Sequence, residues 1–345
     1  MLDTEYSTEL HRLHKIGPVD IPHINGVKII VKDRLDAHTY DPNVLQSVKK
    51  LGDNPVMSKD LKSLRAGSHA DIDAQINFDD IEVTDEETRE MGRAVHYLKI
   101  FKKGNEDSNK ILVYVHGGAY YGGNAEDTEI PLRIMAKTFD GIIYSVDYGR
   151  CPEHPFPSSI LDCLAVVADV TRDNDNITIA GDSAGASIAL GVSQLAHELG
   201  VCDIDNHILF YPTVIHGSNL EGPLWDDKKI SIIPSERKYL HANYVQFKQL
   251  DRIMTGFYLN GRDVNLHSPI ISPLYADPTL FKRVTILIGE FDPFRLQAES
   301  FAEEVGTAGG DVTFIRYGGM GHAFLNLIGK SAASEDALKE AVLHA

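Results

Sequence analysis

The stretch Ile177-Thr178-Ile179-Ala180-Gly181-Asp182-Ser183-Ala184-Gly185 decides how this chain is read. Its first part, from Asn176 to Ala180, is β-branched and apolar, as a buried parallel strand should be, and it runs directly into Gly-x-Ser-x-Gly. Beyond the serine, Ile188, Val192, Leu195 and Leu199 recur at helical spacing, and Gly200 supplies a stop. A strand that turns sharply into a helix at a serine lifts the hydroxyl clear of its neighbours, and flanking glycines tolerate the crowding. Ala184, Gly185, Ala186 and Ser187 keep the first helical turn thin enough to lie against a central sheet. The pattern predicts a nucleophile at Ser183; the competing reading is an ordinary strand-to-helix turn with a solvated serine.

A second stretch has complementary chemistry. The apolar run Ile111-Leu112-Val113-Tyr114-Val115 leads into His116-Gly117-Gly118-Ala119-Tyr120-Tyr121-Gly122-Gly123, a loop nearly bare of side chains at its start. Backbone N–H groups in such a loop point at a ligand without obstruction. Acyl transfer needs donors of this kind, because its tetrahedral intermediate carries a negative oxygen that each important donor stabilises by roughly 3 to 4 kcal/mol. A phosphate cradle is the other use of glycine-rich loops, but neither the Gly-x-x-x-x-Gly-Lys-Ser/Thr nor the Gly-x-Gly-x-x-Gly pattern occurs at this loop.

Strand signals fall near 81–84, 94–101, 111–115, 142–147, 176–180, 207–211, 284–288 and 312–316. Helical patterns fall near 127–139, 158–172, 184–199, 294–305 and 333–344. This alternation predicts an α/β fold, a mostly parallel eight-stranded sheet with helices on both faces. Two segments stand outside it: residues 1–75, and 216–262, which carries Trp225, Tyr239, Tyr244, Phe247, Phe257 and Tyr258 among many charges.

With 345 residues and 43% hydrophobic content, the chain is long enough for one large domain with an insertion. Its 33 basic and 50 acidic residues give a net charge of −17, which disfavours nucleic acid and anionic membrane surfaces as partners. The acidic stretch from Asp71 to Glu90 lacks nearby ligand patterns and reads as a solvated face, so no metal is expected. Cys151, Cys163 and Cys202 are scattered and cannot pair completely, which reads as reduced thiols. Residues 1–14 lack a basic segment followed by an apolar run, and no apolar run long enough to span a membrane occurs, so the expectation is a cytoplasmic protein without stable membrane association.

At its two loop motifs the chain resembles the hormone-sensitive lipase family of α/β-hydrolases, the bacterial and archaeal carboxylesterases. The family's His-Gly-Gly-Gly matches His116-Gly117-Gly118-Ala119, its Gly-Asp-Ser-Ala-Gly matches Gly181 to Gly185, and its Asp-Tyr-Arg-Leu-Ala-Pro-Glu-His-Pro-Phe-Pro matches Asp147 to Pro157. Ser272-Pro273-Leu274 and Gly289-Glu290-Phe291-Asp292-Pro293 resemble later landmarks, and the matches span roughly residues 76–330 in the family's order. There are departures. Ala119 replaces the third glycine, keeping the N–H donor but adding a methyl group, and Gly149-Arg150 replaces Arg-Leu.

The resemblance implies a nucleophile, acid and base in the order Ser, Asp, His. Asp292 follows the apolar run 284–288 and precedes Pro293; the residues alone leave it either a helix N-cap or a catalytic acid, and the match at Asp-Pro implies the catalytic role. Of fifteen histidines only His322 and His344 follow Asp292, and His322 matches the family's Gly-x-x-His-x-Phe through Gly319 and Phe324. The implied mechanism has His322 deprotonate Ser183, Asp292 orient His322, and the N–H groups of Gly118, Ala119 and Ala184 receive the oxyanion in a loop shaped by Gly117. It needs no cofactor. The implied activity is hydrolysis of a small-molecule ester with short to medium acyl chains; an amidase or acyltransferase would use the same triad, and a non-catalytic receptor on this fold would lack the histidine. The resemblance also implies a helical cap built from residues 1–75 and 216–262 over a core at 76–215 and 263–345, and a homodimer through the last strand and the C-terminal helix.

Overall fold

A computed structural model describes residues 4–18, 26–66, 76–171, 177–217 and 222–345. The start of the strand signal at Asn176 and the first part of the acidic stretch beginning at Asp71 lie outside the described residues. Its centre is a sheet of nine strands: β1 (Val27–Lys32), β2 (Ile81–Thr88), β3 (Val95–Lys102), β4 (Ile111–Val115), β5 (Ile142–Val146), β6 (Ile177–Asp182), β7 (Asn206–Phe210), β8 (Arg283–Gly289) and β9 (Asp311–Tyr317), in the order β1-β9-β8-β7-β6-β4-β5-β3-β2. β3 runs antiparallel to both its neighbours, and every other pairing is parallel.

The helices are α1 (Thr4–His14), α2 (Pro42–Lys49), α3 (Leu61–Ala66), α4 (Glu129–Ala136), α5 (Ser158–Val170), α6 (Ala184–Glu198), α7 (Arg237–Leu259), α8 (Arg295–Thr307) and α9 (Ala332–His344). Strand periodicity divides the apolar residues between two cores, because successive side chains point to opposite faces. Leu112 and Tyr114 of β4 join one core with residues of α4, α8 and α9, while Ile111, Val113 and Val115 join the other with residues of α5 and α6. Both faces are covered, so β4, β5 and β7 are buried along their whole length, as parallel strands require. No described helix is long and apolar enough to cross a membrane.

The sequence marks eight strands and the structure has nine. The extra one, β1, lies within the segment 1–75 expected to belong to a cap, and it pairs with β9 in parallel from Val27 opposite Val312 to Lys32 opposite Tyr317. Its two lysines mask it in the sequence. Lys32 is nevertheless buried, because its Nζ donates to Leu13 O at 2.7 Å and Glu340 Oε1 at 2.8 Å and sits 3.0 Å from Asp336 Oδ2. Burial raises the Asp336 pKa, and Tyr317 OH donates to the same carboxylate at 2.8 Å. β1 also corrects the expected dimer surface: the last strand, β9, is interior, flanked by β1 and β8, and offers no free pairing edge.

Removing one partner from a buried ionic cluster leaves uncompensated charge. Lys32→Ala should therefore cost about 3 to 5 kcal/mol of unfolding free energy, measured by urea titration, because Asp336 and Glu340 lose their shared cation.

Candidate active site

The site assembles where β4, β6, β8 and β9 end at the same rim of the sheet, the usual location of ligands in open α/β sheets. Ser183 follows β6 directly and has φ 53° and ψ −119°, a conformation that costs a non-glycine residue about 1 to 3 kcal/mol. It holds because the neighbours leave no alternative. A Cβ on Gly185 would strike the carbonyl oxygens of Val115 and His116, and one on Gly181 would lie 2.7 Å from the Gly185 carbonyl carbon and 2.8 Å from Val115 O. Ser183 N–H donates to Phe210 O at 2.9 Å, fixing the turn against β7.

Ser183 Oγ lies 2.8 Å from His322 Nε2, and His322 Nδ1 lies 2.8 Å from Asp292 Oδ2. Asp292 is fully buried, and its two oxygens divide its two expected roles: Oδ2 faces His322, while Oδ1 accepts the Phe294 N–H at 2.8 Å at the start of α8. With Nδ1 toward the carboxylate, the imidazole carries its proton there and presents a free lone pair to Ser183. Tyr211, Phe247 and Phe294 close around His322 with edge-to-face geometry at centroid distances of 4.9, 5.1 and 5.0 Å. The other histidine after Asp292, His344, ends α9 and its carbonyl accepts from Asn206 Nδ2 at 2.7 Å. Sequence reasoning missed Glu290, whose Oε2 accepts the Gly319 N–H at 3.0 Å and whose Oε1 lies 2.8 Å from His38 Nδ1, tying the loops that carry Asp292 and His322 together.

The glycine-rich loop curls across this rim with Gly118 at φ 119°, Ala119 at φ 53° and Tyr120 at φ 66°. The N–H groups of Gly118 and Ala119 have no hydrogen-bond partner among the described residues, and Ala184 is the first residue of α6, where N–H groups lack an intrahelical acceptor. Gly117 differs: its N–H donates to Asp182 Oδ1 at 2.8 Å, so it shapes the loop and has no donor to spare. Asp182 also accepts from Tyr114 OH at 2.9 Å, and burial raises its pKa. Arg150, displaced by one position from the family pattern, donates to Gly123 O at 2.9 Å and so secures the far end of the loop.

These groups open onto a cavity of about 420 Å³, lined among others by Met57, Leu64, Ala119, Tyr121, Phe247 and Leu250. Among the aromatic residues singled out in 216–262, Phe247 faces this cavity; Trp225 packs edge-on against Phe294 at 5.7 Å and Phe257 against Tyr121 at 5.7 Å. The described residues contain one group with metal-ligand spacing, His14, Asp336 and Glu340, but its two carboxylates are already paired with Lys32.

A parallel sheet that presents a strained serine, an imidazole and a buried carboxylate at one rim defines a hydrolase of the α/β class. A family model described as the α/β-hydrolase fold matches residues 112–326, and the chain belongs to that family, in its carboxylesterase and hormone-sensitive lipase branch. Carboxylesterase NlhH of Mycobacterium tuberculosis is 29% identical over 230 residues, covering 64% of this chain and 68% of that protein. A thermostable esterase from Pseudomonas putida superposes with a TM-score of 0.72 at 20% identity, covering 89% of this chain and 98% of the other. A hormone-sensitive lipase from a metagenome library superposes with a TM-score of 0.70 at 24% identity over 88% and 97% of the two chains.

His116, at the root of the loop, yields a stability prediction. It is buried, stacked on Tyr148 at 4.1 Å, and its Nδ1 lies 2.7 Å from Gly117 O, while Nε2 has no partner. Burial pushes its pKa down from 6.5 to about 4. Below pH 6.5 the unfolded chain takes up this proton and the folded chain does not, so stability falls with acidification until about pH 4. The slope is about 1.4 kcal/mol per pH unit for this one group, and His116→Gln should flatten the pH dependence of the unfolding free energy, measured by urea titration, by that amount.

Proposed function

We propose that this protein is a serine carboxylesterase acting on short- to medium-chain esters through Ser183, His322 and Asp292. The observation that carries the reading is the continuous line from Ser183 Oγ to His322 Nε2 and from His322 Nδ1 to Asp292 Oδ2, each step 2.8 Å. His322 removes the hydroxyl proton as Ser183 attacks the ester carbonyl, and Asp292 stabilises the resulting imidazolium. The oxyanion then lies among the N–H groups of Gly118, Ala119 and Ala184. His322 passes the proton to the leaving alcohol, an acyl-enzyme remains, and a water activated by the same imidazole releases the acid. A non-catalytic receptor has no use for an imidazole held against the serine in this way.

Met57 and Leu64 from the first segment, with Phe247 and Leu250 from α7, serve as the wall of a cap over the pocket. A cavity of about 420 Å³ lies at the small end of the range for ligand sites, which favours short acyl groups. The relatives named as esterases support the ester over the amide as substrate.

With p-nitrophenyl esters, Ser183→Ala and His322→Ala should each lose at least about 10⁴-fold in kcat, and the double variant should be no worse than the single ones. Asp292→Asn should lose roughly 10³- to 10⁴-fold while keeping its cap to Phe294, so its unfolding free energy should stay above that of Asp292→Ala by about 1 kcal/mol. Near wild-type turnover in folded His322→Ala would overturn the assignment. Across acyl chains, kcat/KM should peak between about two and six carbons, and a maximum at twelve or more would contradict the pocket reading.

A further inference from the structure

Behind the glycine-rich loop a second imidazole lies between a hydroxyl and a carboxylate. The side chains of His216 and Asp251 are both fully buried. His216 Nε2 is 2.6 Å from Tyr120 OH and 3.4 Å from the hydroxyl of Ser187, one helical turn beyond Ser183 on α6. On its other side, His216 Nδ1 faces Asp251 Oδ1 at 3.7 Å, and neither atom has a hydrogen-bond partner. Asp251 belongs to α7, and its Oδ2 accepts the Gly217 N–H at 2.8 Å. The backbone N–H of His216 donates to buried Ser272 at 3.0 Å, which fixes the position of the ring.

The surroundings assign the protons. Burial holds the Tyr120 phenol protonated, so its hydroxyl donates to Nε2. An imidazole that accepts at Nε2 has Nδ1 left on the side of the carboxylate. The order carboxylate, imidazole, hydroxyl is the one found at Asp292, His322 and Ser183, but with a tyrosine in place of the serine, a carboxylate 3.7 Å from the imidazole instead of 2.8 Å, and no place in the cavity lining.

We propose that Tyr120, His216 and Asp251 are a positioning relay that sets the N–H groups of Gly118 and Ala119 and ties them to helix α7; the inference rests on the reading of those groups as oxyanion donors. Tyr120 follows Ala119 directly, and both residues have positive φ, so this part of the loop needs an external hold. Asp182 secures the loop at Gly117 and Arg150 secures it at Gly123. Between them Arg65 Nε donates to Tyr121 O at 2.7 Å, and Tyr120 is held at three points: its carbonyl accepts from Cys151 N–H at 2.9 Å, its ring stacks on Tyr258 at 4.0 Å, and its hydroxyl meets His216. Two of these three holds lead to α7, which carries both Tyr258 and Asp251. The same helix lines the cavity with Phe247 and Leu250. The wall that contacts the substrate and the loop that receives its negative charge are thereby held in one geometry.

The test uses the full chain with Tyr120→Phe, which removes only the hydroxyl, Asp251→Asn, and the two combined. Each single variant should lose roughly tenfold to a hundredfold in kcat for p-nitrophenyl butyrate, less than deletion of an oxyanion donor would cost, with KM changed by less than about threefold. Inhibition by a trifluoromethyl ketone, which places an oxyanion in the same position, should weaken by the factor lost in kcat, while inhibition by the product butyrate should not change. The combined variant should match the weaker single variant, because the residues act as a unit. Wild-type kcat in both folded single variants would overturn the relay. So would a lowered melting temperature with unchanged kcat, losses that multiply in the combined variant, or a rise in KM alone. Ser183→Ala, measured in parallel, separates the two readings: if it is inactive while Tyr120→Phe is normal, only the relay fails, and if it retains turnover, the esterase reading fails and takes the relay with it.

Discussion

At φ 53° and ψ −119°, Ser183 occupies a backbone conformation that an L-residue avoids, and the rest of the site is arranged around keeping it there. Pairing of β4 with β6 brings Val115 opposite Gly181, and the thin start of α6 lets Gly185 close onto the carbonyls of Val115 and His116. A side chain at either glycine would push the helix from the sheet and let the serine relax. The same close contact between β4 and α6 puts the loop after β4 beside the serine hydroxyl. One steric constraint thus positions both the serine proposed as nucleophile and the donors proposed to receive the oxyanion.

Burial of charge sets a second level of organisation. Asp182, Glu290 and Asp292 all stand at the working rim, and each is satisfied by backbone N–H groups as well as by side chains: Gly117 for Asp182, Gly319 for Glu290 and Phe294 for Asp292. Each carboxylate therefore stitches two segments together at the point where a loop leaves the sheet. Hydrogen bonds to an ionised acceptor are stronger than neutral ones, and here they are shielded from water. Loop conformations at the rim are held by charge as much as by packing.

Eight of the nine strands and the residues that meet at the candidate site were legible because local chemistry forces them. Gly181, Ser183 and Gly185 announce a turn that tolerates no substitution of shape, and the runs at 111–115 and 284–288 carry no charged residue to confuse their reading. Asp292 allowed two readings, and its geometry accommodates both, with one oxygen on the Phe294 N–H and the other facing His322. β1 was illegible for a definite reason: Lys28 and Lys32 break its apolar run, and the burial of Lys32 depends on Asp336 and Glu340, about three hundred residues away. Tyr120, His216 and Asp251 share no motif or spacing, and only the packing of α7 behind the loop brings them together. Glu290 lay inside a recognised landmark, but its contact with Gly319 depends on how β8 and β9 end relative to each other.

The sheet's opposite rim, β2, bears on how copies of this chain meet. It is the terminal strand, paired on one side to β3, and it carries Glu82, Asp85, Glu86 and Glu87. An exposed strand edge is a template for pairing with another chain, and charged residues are a common means of blunting it. Two copies approaching through β2 would set carboxylates against carboxylates, on molecules that each already carry a net charge of −17. The composition of this strand makes edge-to-edge pairing of two copies through β2 electrostatically unfavourable.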